Sequence, residues 1–309
     1  MNNNPSLDFS SWKLSGKLAP SERAHSLAFS SDGCWLAFSD VPYIRILDIR
    51  SNKFIQSIKV LTKLSNSMSF SPDGEWLACG ESSGHIHIWK LPEFKYVYTL
   101  QAKGNVKQLI FNGENGLFAG TANGHVLYWV LDRGLGYPRL SYADGIETMA
   151  LSPDHRLLGI GSLKGTVSLW DAQNGSCVYI WRIKNGPMDP IGRMWINGLG
   201  FIADNLLLSC HDTAEFNIWD TSYLQNVRTI KQTGNTKAIA LSRDKRTLAQ
   251  TSVNEVTLWD TISWASHHLA PKHSVALLSY GKPTIAFSPD GLRIASSGVK
   301  NEIFVWEGN

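Results

Sequence analysis

One unit recurs seven times along the chain of 309 residues, and this recurrence restricts the fold more than any other feature. Its clearest copy, residues 68–89, alternates apolar and polar residues, which is typical of strands. The segment SPDG at residues 71–74 predicts a tight hairpin turn, because proline pre-sets φ at the second turn position and glycine relieves crowding at the fourth. The unit is therefore predicted to be strand, turn, strand, turn, strand, closed by a tryptophan.

Each unit closes with a large apolar residue, which we call the anchor. The anchors are Leu47, Trp89, Trp129, Trp170, Trp219, Trp259 and Trp306. Their separations, taken from the residue numbers, are 42, 40, 41, 49, 40 and 47 residues. Turns similar to residues 71–74 occur at residues 30–33, 152–155, 242–245 and 288–291, whereas the third and fifth units have altered turns. A period of this length is typical of solenoids, propellers and other repeat architectures.

The repeats resemble those of the WD40 family. The pairs Trp170-Asp171, Trp219-Asp220 and Trp259-Asp260 carry the family's dipeptide, and the period lies in its range of about 40–45 residues with four strands in each blade. The resemblance covers nearly the whole chain, because it rests on seven registered repeats. It implies an all-β fold, a seven-bladed β-propeller with four-stranded antiparallel blades, and a single domain over residues 1–309.

Two features of the family are missing from these repeats. No repeat carries the Gly-His pair directly before its first strand. The aspartate that the family places in the turn six residues before the anchor is replaced by Val41, Ser83, Asn123, Lys164, Thr213, Val253 and Lys300. We therefore expect the family's Asp–His–Ser hydrogen-bond network to be missing and the blades to rest mainly on packing.

The two ends of this sequence are expected to complete one blade together. Residues 9–20 precede the first hairpin and belong to no complete unit of their own, while only three residues follow Trp306. Blade seven therefore lacks an outer strand, and the N-terminal segment is a spare strand. Pairing the two would close the ring and cover an exposed strand edge.

Charge and composition exclude several classes of protein. The net charge is only +3, with no basic run, which disfavours a nucleic-acid partner. The four cysteines form no Cys-x-x-Cys pair, and we expect Cys34, Cys79 and Cys210 to be buried small side chains in second strands, as in a protein of a reducing compartment. The first residues do not form a secretory signal, and no apolar stretch approaches the ~18 residues of a membrane helix. We therefore expect a cytoplasmic location without membrane insertion.

Two long connections account for the two wide spacings between anchors. Residues 184–195 precede blade five and residues 270–282 precede blade seven, and in a propeller such connections share one face with the turns between second and third strands. The predicted partner-binding residues come from these connections and from the turn after the second strand of blade five. They are Met188, Arg193, Met194, Trp195, His211, Asp212, Lys272, His273 and Tyr280. The alternative is that these loops only cap their own blades.

Other groups of reactive residues suggest chemistry less strongly. His85 and His87 lie at i and i+2 on one strand face, a spacing that metal sites use, but no third ligand is visible nearby. Residues 210–212, CHD, cannot form a triad with one another, because adjacent strand residues point to opposite faces. We therefore predict no catalytic residue, no metal ligand and no cofactor.

The first hypothesis for function is a non-catalytic scaffold, a monomeric disc that docks a protein or peptide partner, as the resemblance implies. The second is a binder of a phosphate-bearing or nucleic-acid ligand on a basic loop face built from Lys63, Lys103, Lys164, Lys231, Lys237 and Lys300. The third is a hydrolase-type enzyme at the mouth of the central channel. For that site the sequence offers His25, His211 and Asp212, but no repeated set of polar residues at one register.

Overall fold

The computed structural model describes residues 7–21, 24–59, 65–113, 115–133, 135–142, 144–183, 195–211, 214–232, 234–252, 255–269, 284–298 and 301–308. Within these residues the chain forms seven four-stranded antiparallel sheets and one short 3-10 helix, Leu131–Arg133. This arrangement is a seven-bladed β-propeller, which confirms the predicted fold class.

The first four blades use strands β2 to β17. They are β2 Leu27–Phe29, β3 Trp35–Asp40, β4 Tyr43–Asp48 and β5 Lys53–Lys59; β6 Ser65–Phe70, β7 Trp76–Glu81, β8 His85–Lys90 and β9 Lys95–Gln101; β10 Val106–Asn112, β11 Gly116–Thr121, β12 His125–Val130 and β13 Leu135–Ser141; β14 Ile146–Leu151, β15 Leu157–Ser162, β16 Thr166–Asp171 and β17 Cys177–Arg182.

The last three blades use the remaining strands. They are β18 Ile196–Ala203, β19 Leu206–His211, β20 Glu215–Asp220 and β21 Gln225–Lys231; β22 Ala238–Leu241, β23 Thr247–Thr251, β24 Val256–Asp260 and β25 Ser266–Leu269; and β26 Ile285–Phe287, β27 Arg293–Ser297 and β28 Ile303–Glu307, joined by β1 Lys13–Leu18.

The ring closes as the sequence predicts. Strand β1 pairs antiparallel with β28 and supplies the outer strand of blade seven. Its register places Leu18 opposite Ile303 and Leu14 opposite Trp306. The last blade therefore contains segments from both ends of the sequence, and the edge of β28 is covered.

The core consists of seven apolar layers, one between each pair of neighbouring blades, including the pair formed by blades seven and one. Every anchor lies in the layer it shares with the preceding blade. Trp89 packs with blade one and Trp306 packs with blade six, and both side chains are fully buried. Burying aromatic side chains of this size is the main favourable contribution to such a layer.

Turns between the first and second strands share one hydrogen-bond pattern in blades one, two, four, six and seven. In blade four, the Ser152 hydroxyl donates to Asp154 at 2.6 Å and accepts the Leu157 amide at 2.9 Å. The fourth residue of each of these turns has a positive φ, which glycine adopts without strain. We call the side of the disc that carries residues 30–33, 71–74, 152–155, 242–245 and 288–291 the turn face.

All four cysteines are free. Cys79 and Cys210 are fully buried in second strands, as expected, whereas Cys34 is partly exposed one residue before β3 and Cys177 is exposed on an outer strand. Burial raises the pKa of the Cys79 thiol to about 12, so this thiol is protonated at neutral pH. Among the described residues, no helix is both long enough and apolar enough to cross a membrane.

Candidate binding face

The opposite side of the disc, which we call the loop face, is where first strands begin, second strands end and third strands begin. The first strands of neighbouring blades contact one another around the whole ring, so they are the innermost strands and surround the central channel. Their starting residues therefore lie around the channel mouth on this face.

One polar residue stands at the start of the first strand in every blade, 22 or 23 positions before the anchor. These residues, which we call the mouth ring, are His25, Asn66, Lys107, Glu147, Asn197, Lys237 and Thr284. The residue type changes from blade to blade, and the distance from the anchor varies by one residue.

Two contacts join the first strands of blades three and four near the channel mouth. The Lys107 ammonium lies 3.3 Å from Oε2 of Glu147 in the next blade, and the Glu147 side chain is almost fully buried. An unpaired carboxylate at this depth would be unfavourable, so Lys107 offsets the charge. One residue further along, the Gln108 Oε1 atom accepts the Met149 amide at 2.7 Å.

The two asparagines of the mouth ring act in the same way. Asn66 donates to the Asn105 side chain at 2.6 Å and to the Val106 carbonyl at 3.2 Å, both in the next blade. Asn197 donates to the Thr236 carbonyl at 2.9 Å, which links blade five to blade six. The side-chain amides of Asn66 and Asn197 thus form hydrogen bonds between neighbouring blades near the channel mouth.

A second polar register lies at the end of the second strands, in blades one to six. Its members, which we call the turn fasteners, are Asp40, Glu81, Thr121, Ser162, His211 and Thr251. In blade three, Thr121 Oγ1 accepts the His125 amide at 3.0 Å and donates to the Asn123 side chain at 2.6 Å. In blade four, Ser162 Oγ accepts the amides of Lys164 and Thr166, both at 3.1 Å.

The expectation that blades rest mainly on packing therefore needs an addition. The polar support is present, but it has moved from the turn to the end of the second strand. Some anchor tryptophans also have polar partners, since the Trp219 indole donates to Ser209 at 2.8 Å and the Trp259 indole donates to Gln250 at 2.7 Å. Sequence comparison with the family's own positions could not reveal bonds made at other positions.

In blade two the turn fastener is a carboxylate with two histidines beside it. The fully buried Glu81 lies 3.4 Å from His87 Nε2 and 4.0 Å from His85 Nδ1, and Ser83 donates to it at 2.7 Å. His87 Nδ1 lies 2.9 Å from the Thr99 hydroxyl. Burial lowers the pKa of His87, and the nearby Glu81 carboxylate opposes part of this effect.

The histidine pair considered as a metal site thus has a neighbouring carboxylate that its spacing alone did not reveal. These groups are arranged for hydrogen bonding with each other. In the part of the chain that the structure describes, no three His, Cys, Asp or Glu side chains are grouped so that they could hold a metal ion.

The structure describes two of the nine predicted partner-binding residues. Trp195 is partly exposed and directly precedes β18 beside the mouth ring. His211 is buried, and its Nε2 atom lies 2.9 Å from the Asn217 side chain, so it supports its turn from within the blade. The other seven lie outside the described residues: Met188, Arg193, Met194, Asp212, Lys272, His273 and Tyr280.

The lysines proposed for a basic face are partly neutralised. Lys164 lies 3.1 Å from Asp144, which belongs to the preceding connection. Lys103 and Lys231 are exposed, Lys237 is partly exposed, and Lys63 and Lys300 lie outside the described residues. Together with the Lys107–Glu147 pair, this pairing leaves a face of mixed charge.

Comparison with known proteins identifies two of the repeats. The family model for the WD40 repeat, described as WD domain, G-beta repeat, matches residues 57–90 and 139–171. The first match ends with the third strand of blade two, and the second ends with the third strand of blade four. No curated protein matches the chain.

Proposed function

We propose that the protein is a non-catalytic interaction scaffold that docks a protein or peptide partner on its loop face. WD40 propellers generally mediate protein interactions. One observation supports the loop face in particular. The two longest connections, residues 184–195 and 270–282, lead into β18 and β26, and both strands begin on this face with only blade six between them.

The proposed contact sector therefore spans blades five to seven. Trp195 contributes a partly exposed aromatic side chain at the edge of this sector. Aromatic residues often provide much of the binding energy at protein interfaces. Met194 and Tyr280 are proposed as further residues that contact the partner, while Arg193 and Lys272 would orient an acidic group of the partner. His211 would hold the adjacent turn in position rather than contact the partner.

Mixed charge favours a protein partner over a phosphate-bearing ligand. Lys164 and Lys107 each have a carboxylate within 3.3 Å, so neither presents an uncompensated charge to phosphate. Neutralising several phosphates with lysine and arginine makes binding steeply dependent on salt. A protein partner held mainly by apolar contacts should show a shallow dependence.

The polar residues at the channel mouth are better placed to join neighbouring blades than to act as general acids or bases. A general acid or base must exchange a proton with a substrate, and it must therefore reach that substrate. Glu147 is buried against Lys107, while Asn66 and Asn197 are bonded to neighbouring blades. We accordingly place the function in docking.

The test combines three substitutions in the proposed sector, Met188→Ser, Arg193→Ser and Lys272→Ser. Partners recovered from the native host with the unchanged protein should be lost with this variant, while its thermal unfolding midpoint should remain the same. Recovery should persist at raised salt, since a steep loss would indicate the phosphate-binding alternative.

A matched control removes one apolar and two basic side chains from the turn face: Leu292→Ser, Arg156→Ser and Arg243→Ser. All three residues are exposed, so this variant should keep both stability and partner recovery. Unchanged recovery with the loop-face variant would reject this sector. Equal losses with both variants would show that the effect does not depend on the face.

A further inference from the structure

The central channel contains a small cavity near the turn face, far from the proposed docking sector. Its volume is about 230 Å³. Blades four, five and six line it through their first strands, and Leu151 and Leu241, the last residues of β14 and β22, place it close to the turns. One further lining residue, Lys245, comes from the turn of blade six.

Among the described residues that line this cavity, Lys245 is the only charged one. The others are Met149, Ala150, Leu151, Leu199, Gly200, Phe201, Ile239, Ala240 and Leu241. Strands β14, β18 and β22 are the end strands of their sheets, so each turns one row of backbone polar groups toward the channel. The cavity thus combines backbone donors and acceptors, which with a single cation provide most of its accessible surface, and a smaller apolar part.

The position of Lys245 in its turn is unusual for a lysine. It occupies the fourth turn position, where blades one, two and seven have glycine with φ of 71°, 76° and 74°. Lys245 itself has φ of 63°, a region that side chains with a Cβ atom adopt less readily than glycine. The backbone is held by the 2.9 Å bond from its amide to the Ser242 carbonyl and by the 2.7 Å bond from Thr261 to its carbonyl.

The ammonium group has no partner in an ion pair among the described residues. Burial lowers the pKa of Lys245, and the charge of the neighbouring Asp244 opposes this effect. Asp244 itself directs Oδ1 to the Ser242 hydroxyl and the Arg246 amide. A partly desolvated ammonium of this kind would be stabilised by an anion entering the cavity.

We propose that this cavity binds a small monocarboxylate with an apolar body, whose carboxylate pairs with Lys245 and whose hydrocarbon part fills the space between blades four, five and six. The volume is below the ~300–1,000 Å³ of pockets for drug-sized ligands. At ~30 Å³ for each water-sized group it holds about eight non-hydrogen atoms. Hexanoate has this size and this chemistry, and it serves as the probe.

The test is titration of the full chain with hexanoate, followed by calorimetry and by ligand-observed NMR. Hexanoate should bind. Hexanol lacks the charge, so its affinity should be lower by a factor of at least about ten. Lys245→Met keeps much of the side-chain length and removes the charge. It should therefore weaken the binding of hexanoate by about tenfold or more and leave the binding of hexanol unchanged. Lys245→Arg should keep most of the affinity.

Two further variants separate the cavity from general surface charge. Arg243→Met removes an exposed cation from the same turn and should leave hexanoate binding unchanged. Ala240→Leu keeps the charge and enlarges a partly exposed lining residue, so it should weaken the binding of hexanoate and hexanol together. Thermal unfolding of each variant confirms that it is folded before the affinities are compared.

Affinity should also depend on pH in a defined direction. Hexanoate stays ionised above pH of about 5, so the relevant group is Lys245, and binding should weaken as pH rises through its lowered pKa. Asp244 is the charged neighbour in the same turn, and the lining residues of blades four and five are uncharged. No binding of hexanoate, or equal binding by Lys245→Met, would overturn the proposal.

Discussion

The two faces of the disc achieve the same structural result with different chemistry. On the turn face, five blades use one pattern, in which a serine hydroxyl accepts a backbone amide and donates to an aspartate two residues later. On the loop face, the turn fasteners include carboxylates, hydroxyls and an imidazole. Bonds to the amides of the following turn are made by Thr121 and Ser162, whereas Asp40 and His211 bond to third-strand side chains.

This difference shows that similar blades can support their turns with different buried polar groups. The repeated serine and aspartate fix the geometry of the turn face but give most of its blades the same polar group. Fasteners as different as Glu81 and Ser162 occupy equivalent places at the ends of their second strands, and both are fully buried. They therefore vary the internal support of the loop-face turns.

We expect the apolar layers, and not the turns of either face, to hold the disc together. Trp170 tests this, because it lies in the layer between blades three and four, with its indole nitrogen 2.8 Å from Ser168. Trp170→Ala should cost about 3–5 kcal/mol in the free energy of unfolding. Chemical denaturation measures this cost, and a value near that of a single hydrogen bond would reject this expectation.

A matched pair of substitutions in blade four compares the faces directly. Ser152 fastens the turn-face hairpin and Ser162 fastens the loop-face turn, and both are buried. Ser152→Ala and Ser162→Ala should each cost about 1–2 kcal/mol, because each leaves buried backbone amides without their acceptor. If denaturation shows a cost only for Ser152→Ala, the loop-face turns are not held by their fasteners.

The faces should also respond to acid over different pH ranges. Burial lowers the pKa of His87, so this side chain binds fewer protons in the folded state, and its contribution to stability is lost as pH falls below about 6.5. The Ser152 hydroxyl and the Arg156 amide lower the pKa of Asp154, so the contribution of this carboxylate is lost only below pH of about 4.

Thermal unfolding between pH 7.5 and 3 would separate the two effects. His87→Gln should reduce the loss of stability between about pH 7 and 5, and Asp154→Asn should reduce the loss below pH of about 4. His267→Gln, on the outer strand of blade six, is the control for the first change. Identical pH profiles for His87→Gln and the unchanged protein would show that His87 is not part of the acid response.

The sequence was sufficient for the fold because the features that determine it are local and repeated. Anchor spacing, alternation and the SPDG-type turns predicted seven blades, and the spare N-terminal strand predicted the closure with β28. Polar groups between blades were harder to predict. Lys107 and Glu147 are 40 residues apart and show no pairing pattern until the blades are placed side by side.

The cavity at Lys245 was beyond sequence reasoning for a different reason. Its turn, SRDK, is recognisable as a variant of SPDG, which accounts for the backbone but not for the direction of the lysine side chain. The space it faces is made by three blades whose first strands are far apart in the sequence. A lysine in place of glycine was the available signal, and it gains meaning only beside the apolar lining.

The smallest expected effect concerns the fourth position of the SPDG-type turns. In two of these turns a residue other than glycine has a positive φ there, and the two residues can be compared. Lys245→Gly should stabilise the protein by about 1 kcal/mol, because glycine relieves the strain at φ of 63°, and it should abolish hexanoate binding. His155→Gly is the matched control, since His155 has φ of 62° in blade four and does not line the cavity. It should change stability by a similar or smaller amount, because it also loses the 2.7 Å bond to Asn112, and leave hexanoate binding intact. A stabilised Lys245→Gly variant that still binds hexanoate would mean that Lys245 has no role in binding. Loss of binding in both variants would mean that the turn backbone, rather than the ammonium, controls entry to the cavity.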